Sequence, residues 1–204
     1  IPKTMAKTPR LPLPIPVRLG LVGDDGAIVP FRLSADSLYL DEQVILVTGK
    51  KHLQPIFPSS TGKIVPSLLR NFSAPVILKD DLSSSERLHL MAHDADMFNR
   101  WDAAQTLLAD QILATANDQK YAIDDTAVAA LASVYANSLA DEELLDMFKS
   151  GLLSLPAISV LESCMKPADP VALFHARRAV EAALGRVLAP QIKSALTDEN
   201  VAIM

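Results

Sequence analysis

Glu86, His89 and His93 have the spacing most suggestive of chemistry in this sequence. Two imidazoles four residues apart on a helix face the same way. Glu86 lies a further turn back on nearly the same side, so the three could hold a zinc ion. A hydrolytic helix of the His-Glu-x-x-His kind also needs a glutamate directly after its first histidine, as base for the metal-bound water. Leu90 stands in that place, and an apolar side chain takes no proton. The pair is therefore expected to bind no metal tightly and to serve as polar helix surface.

The remaining reactive side chains read in the same structural direction. Ser84 and Ser85 lack a Gly-x-Ser-x-Gly elbow. Cys164, the single cysteine, falls among Leu161 and Met165 and is expected to be a small buried group. Gly23-Asp24-Asp25-Gly26 has too few spaced oxygens for a calcium loop and reads as a hairpin turn. Asp80-Asp81 and Asp124-Asp125 read as acids preceding helices, where the helix dipole favours negative charge. Arg177-Arg178 is expected to form surface ion pairs, and Trp101, the one tryptophan, to pack in a core. No catalytic, cofactor-binding or metal-ligating residue is assigned.

The elements that would position these residues divide the chain in two. Residues 1–75 hold 10 of the 14 prolines and 5 of the 7 glycines, whereas residues 92–204 hold 24 alanines against 4 before them. Turn formers followed by the best helix former predict a β part and then an α part. Ile15–Val22 is predicted as a strand with Ile15, Val17, Leu19 and Leu21 on one face. Ala27–Leu33, Leu38–Leu40, Val44–Val47 and Pro75–Lys79 are further predicted strands, and Gln54–Phe72 a loop. Short strands with frequent turns predict an antiparallel, Ig-like sandwich. Four or five strands are few for two closed sheets, so others are expected upstream of Ile1.

The second part is predicted as consecutive amphipathic helices forming an array. Ser83 with Glu86 is a capping box, Asn99 with Asp102 a second polar start, and Asp124 or Asp125, Asp141 and Asp169-Pro170 further ones. Trp101, Ala104, Gln105, Leu108 and Ile112 share a face, as do Val128, Leu131, Ala132 and Tyr135. A last stripe runs through Leu173, Ala176, Val180, Leu184 and Val187 to Pro190.

Composition excludes several classes. A net charge of −5 without a basic run is a poor match to nucleic acid. No apolar stretch approaches the ~20 residues of a membrane helix. Ile1–Pro16 is basic and proline-rich without the apolar run of a signal peptide. A lone cysteine fits a reducing, cytoplasmic compartment.

Two long motifs carry a resemblance. The run Pro66-Ser67-Leu68-Leu69-Arg70-Asn71-Phe72-Ser73-Ala74-Pro75-Val76, with Leu90-Met91-Ala92-His93-Asp94-Ala95-Asp96-Met97-Phe98-Asn99-Arg100-Trp101-Asp102-Ala103-Ala104-Gln105, resembles the bacterial aminopeptidase N family of gluzincin zinc aminopeptidases. The likeness extends from Pro14-Ile15-Pro16-Val17 to the last helix. It implies a β-sandwich spacer over residues 1–80 and the start of a helical cap domain over 81–204, both from the C-terminal region of such an enzyme. The catalytic domain, with its zinc ligands and Gly-x-Met-Glu-Asn motif, is not in this sequence, so no site residue carries over and no cofactor is expected in this piece. Its partners would be the rest of its own polypeptide, peptides being substrates of the whole enzyme, and uncovered faces lead to an expectation of self-association. A stand-alone helical interaction module is the alternative.

Overall fold

The computed structural model describes residues 13–49, 54–58, 62–118 and 123–195. Contacts divide the chain into a sheet unit, Ile1–Asp81 with His93–Asn99, and a helical unit, Leu82–Ala92 with Arg100–Met204.

In the sheet unit, β1 (Ile15–Gly23) is central, with β2 (Glu42–Val47) and β3 (Ile64–Leu68) antiparallel on either side. Period-2 alternation sends Leu19 and Leu21 to one face, where they meet Val29, Phe31 and Ile45 in a buried cluster edged by Leu33, Val47, Ile64 and Leu68. The turn after β1 closes with Gly23 N–H donating to the Ala27 carbonyl at 2.8 Å. Gly26 sits at φ +81°, which glycine adopts without a Cβ clash.

The chain beyond this turn departs from expectation. Residues 27–33 and 38–40 make only isolated bridges, Val22 to Ile28, Phe31 to Leu40 and Arg32 to Ile56. Pro30, which has no N–H to give, interrupts the first of these runs. The segment 54–72, expected as a loop, contains β3; its Pro66 is accommodated because β3 is an edge strand of this sheet. Pro75–Lys79 forms no strand, and Ile77 is 91% exposed.

Six helices follow the sheet: α1 (Ser84–His93), α2 (Met97–Asn117), α3 (Asp125–Ala140), α4 (Asp146–Leu152), α5 (Ile158–Cys164) and α6 (Pro170–Ala195). The starts of α1, α3 and α6 are set by local side chains. Ser83 N–H donates to Glu86 Oε2 at 2.8 Å while Ser83 Oγ accepts from Glu86 N–H at 3.3 Å, closing the capping box. Asp124 Oδ1 accepts from Thr126 and Ala127 N–H at 2.9 and 3.1 Å, and Asp169 Oδ1 from Val171 and Ala172 N–H at 3.1 and 3.0 Å.

Val128, Leu131, Ala132 and Tyr135 of α3 and Leu173, Ala176, Val180 and Leu184 of α6 are all buried, and these two helices pack extensively. The stripe drifts at its end, where Leu188 is buried and Val187 half exposed. A stripe of period 3.6 moves steadily around the helix. α6 continues through Pro190 to Ala195 where an end was expected, since a proline that late forfeits one backbone bond without abolishing the helix. α4 begins at Asp146, not at Asp141, whose carboxylate is used in a preceding turn to accept Glu143 N–H at 2.9 Å.

Removing the α3 cap tests this account. Asp124→Ala should lower the unfolding free energy by about 1 kcal/mol, read as a shift of the urea midpoint with unchanged slope.

Candidate functional site

The densest cluster of buried polar side chains lies in the sheet unit, on the β1 face opposite the Leu19–Leu21 core. Its centre is Arg70, 5% exposed, just after β3. Arg70 Nη2 donates to Asp94 Oδ1 at 2.8 Å, and the Asp94 side chain is wholly buried. Glu42 Oε2 lies 3.7 Å from Arg70 Nη1. The guanidinium rests directly on Gly20 of β1, where an added Cβ would meet Nη1 and fall 2.8 Å from Cζ. Only a residue without a side chain lets the arginine reach its partner.

Asp94 does more than neutralise this charge. The same Oδ1 accepts Asp96 N–H at 2.9 Å, which shapes the turn entering α2. Asp96 Oδ1 then accepts Asn99 N–H at 2.9 Å as the α2 cap, while its Oδ2 accepts Asn71 N–H at 2.6 Å. Asn99, expected as the cap, sits instead one turn inside the helix. That frees its amide to donate to Ser67 Oγ at 2.8 Å and the Leu68 carbonyl at 2.9 Å.

The turn beside Arg70 is strained. Leu69, Asn71 and Phe72 have φ of 58°, 54° and 49°, a region costly for leucine and phenylalanine. Such a turn persists because several contacts fix it at once. These include the Arg70–Asp94 pair, the Asn71–Asp96 bond and an edge-on contact of the Phe72 and Phe98 rings at 5.3 Å. Next to it is an open cleft of about 520 Å³, lined by Ile28, Glu42, Arg70, Asp96, Met97 and Phe98. Of its acids, Glu42 is paired with Arg18 and Arg70 and Asp96 accepts backbone N–H groups, while Asp41 also lines it, so the arrangement around Arg70 is a structural clasp.

With this geometry in view, the chain can be set beside known proteins. A family model described as "Domain of unknown function (DUF3458) Ig-like fold" matches residues 1–81. Another, "Domain of unknown function (DUF3458_C) ARM repeats", matches residues 84–202. The chain belongs to the DUF3458 family. Its sheet unit is thus Ig-like and its helices are ARM-like.

Relatives of this DUF3458 chain agree on its setting. Aminopeptidase N of Caulobacter vibrioides is 37% identical over 145 residues, covering 71% of this chain and 16% of that protein. Aminopeptidase N of Escherichia coli K12 is 28% identical over 191 residues, covering 94% and 22%. The crystal structure of Legionella pneumophila aminopeptidase A in complex with aspartic acid shares the fold at a TM-score of 0.72 and 25% identity, covering 89% of this chain and 20% of that one. The chain corresponds to a C-terminal region of aminopeptidase N and spans roughly a fifth of the curated relatives it matches.

His89 and His93 lie one turn apart on α1, and an added Cβ on Gly26 would lie 2.6 Å from the His93 Nδ1. Glu86 is engaged in the capping box. Among the described residues no three His, Cys, Asp or Glu form a group able to hold a metal ion. Cys164, expected to be buried, is exposed at the last residue of α5. Arg177, expected in a surface ion pair, uses its Nε to donate to the Pro156 carbonyl at 3.1 Å. Trp101 is half-buried on α2. No helix among the described residues is long and apolar enough to cross a membrane.

Sequence reasoning missed the Arg70 clasp, although every member from Ser67 to Asn99 lies inside the two family-like motifs. Arg100 completes the second motif within the helical unit. Its Nε donates to the Met91 carbonyl at 2.9 Å and its Nη2 to Ser138 Oγ at 3.2 Å.

A buried ion pair is most costly when halved. Asp94→Ala should destabilise the sheet unit by about 3–5 kcal/mol in denaturant unfolding, and the double change Arg70→Leu with Asp94→Leu should cost less than Asp94→Ala alone.

Proposed function

We propose that this chain is a non-catalytic part of a zinc metallo-aminopeptidase of the aminopeptidase N kind. In this reading the sheet unit is a spacer and the helical unit part of a cap over an active site held elsewhere in the polypeptide. The whole enzyme removes N-terminal residues from peptides, with zinc held by the part not in this sequence. The supporting observation is the pairing of two facts. The match to aminopeptidase N extends over 94% of this chain yet only 22% of that relative. The Arg70, Asp94, Asp96 and Asn99 side chains, meanwhile, are engaged in holding the fold.

A cap of this kind works by enclosure. It restricts access to chain ends and excludes water from the reacting bond, so its contribution is shape and not proton transfer. The lone cysteine and the mild acidity fit a cytoplasmic enzyme. The partners are the remainder of the same polypeptide. Exposed Val171 and Phe174 on α6 and Met147 on α4 fit faces that such a remainder would cover, and would favour self-association of the isolated chain.

The purified 204-residue chain should release no chromophore from an alanyl anilide, with or without added zinc. Turnover that scales with the concentration of the chain and survives a chelator-treated contamination control would overturn the reading.

A further inference from the structure

The helical unit contains a chamber of about 180 Å³ lined from α2, α3, α6 and the segment after α4. Its walls are mainly branched aliphatic side chains: Leu108 from α2, Leu153 and Leu155 from the segment, and Leu184, Leu188 and Ile192 from α6. Of these, Leu108, Leu184 and Leu188 are buried. Gly185 belongs to the same wall of α6, and a Cβ added there would meet nothing within 4 Å. Tyr135 and Glu181 also border the space. The tyrosine hydroxyl is closed off from it, and Glu181 stands on the exposed side of α6.

Protein interiors rarely leave a void larger than a water molecule, and walls that face one forfeit the dispersion contacts of a filled core. Water is a poor filling here. It needs two to four polar partners, and leucine and isoleucine side chains offer neither donor nor acceptor. An apolar molecule restores the missing contacts and gives up no hydrogen bond by leaving solvent. The volume sets its size: an apolar protein cavity of ~150 Å³ takes benzene, so one ring with a methyl group suits this chamber.

We infer that this chamber is a binding site for a neutral apolar molecule of single-ring size, held by contact with the leucines and Ile192 and selected by shape and the absence of polar groups. The site is built wholly from the helical unit and stands apart from the proposed enzymatic role.

Titration of the 204-residue chain with toluene, followed by NMR of its leucine methyl groups, tests this. Toluene should saturate in the millimolar range or tighter. Phenol, of the same shape with a hydroxyl in place of the methyl, should bind about fivefold more weakly, and benzoate not at all, since neither polar group finds a partner on aliphatic walls. Gly185→Leu removes a mid-helix glycine and places a side chain in the open space, so it should fold at least as stably and weaken toluene about tenfold. Absence of saturable shifts at Leu108, Leu184 and Leu188 would overturn the inference. So would phenol or benzoate binding as tightly as toluene, or toluene affinity unchanged in Gly185→Leu.

Discussion

A positive charge cannot be buried without a fixed opposite charge, and the sheet unit is organised around that requirement. Arg70 is almost wholly removed from solvent against β1, and its partner Asp94 comes from 24 residues further along the chain. Once the carboxylate is pinned there, its neighbours follow. Asp96 is drawn into reach of the Asn71 N–H, α2 starts at Met97, and the Asn99 amide falls beside Ser67 and Leu68. One desolvated ion pair thus determines a turn, a helix start and a sheet edge. The absence of a side chain at Gly20 is part of the same constraint.

The helical unit obeys a different logic, in which no single interaction dominates. Helices α1, α3 and α6 begin where a Ser or Asp side chain satisfies the first N–H groups, and the long helices associate through alanine- and leucine-rich stripes. Small residues such as Ala132, Ala172, Ala176 and Ala183 are buried there, which lets helix backbones approach. Among the described residues, a conspicuous lapse is the Tyr135 hydroxyl, buried without a hydrogen-bond partner. Deviations of that kind are informative because the surrounding packing is so regular.

What could be read from the sequence follows the range of the interactions. The capping box at Ser83 and the caps at Asp124 and Asp169 are local and were legible, as were the buried stripes of α3 and α6. The Asn99 start was misread for a specific reason. Asn followed three residues later by Asp looks like a cap, yet the true cap, Asp96, lies three residues before Asn99. The two differ only in where the asparagine amide goes, and its acceptors are 31 and 32 residues away. Pro66 made β3 look like a loop, because edge-strand status depends on which strands pair. Cys164 faces solvent where α5 runs out, a boundary effect that periodicity does not register.

The resemblance to aminopeptidases therefore rests on residues whose work here is architectural. Arg70, Asp94, Asp96, Asn99 and Arg100 are the polar members of the two motifs, and each is bonded to backbone or to another side chain. Motifs rich in Asp, Asn and Arg invite a chemical reading. Yet Asp94 and Asp96 each already accept two hydrogen bonds from donors fixed by the fold, Asp94 from Arg70 and the Asp96 N–H and Asp96 from the Asn71 and Asn99 N–H groups. A long sequence signature can be maintained by the demands of one buried charge as readily as by catalysis. In this chain the signature identifies the enzyme family through its scaffold.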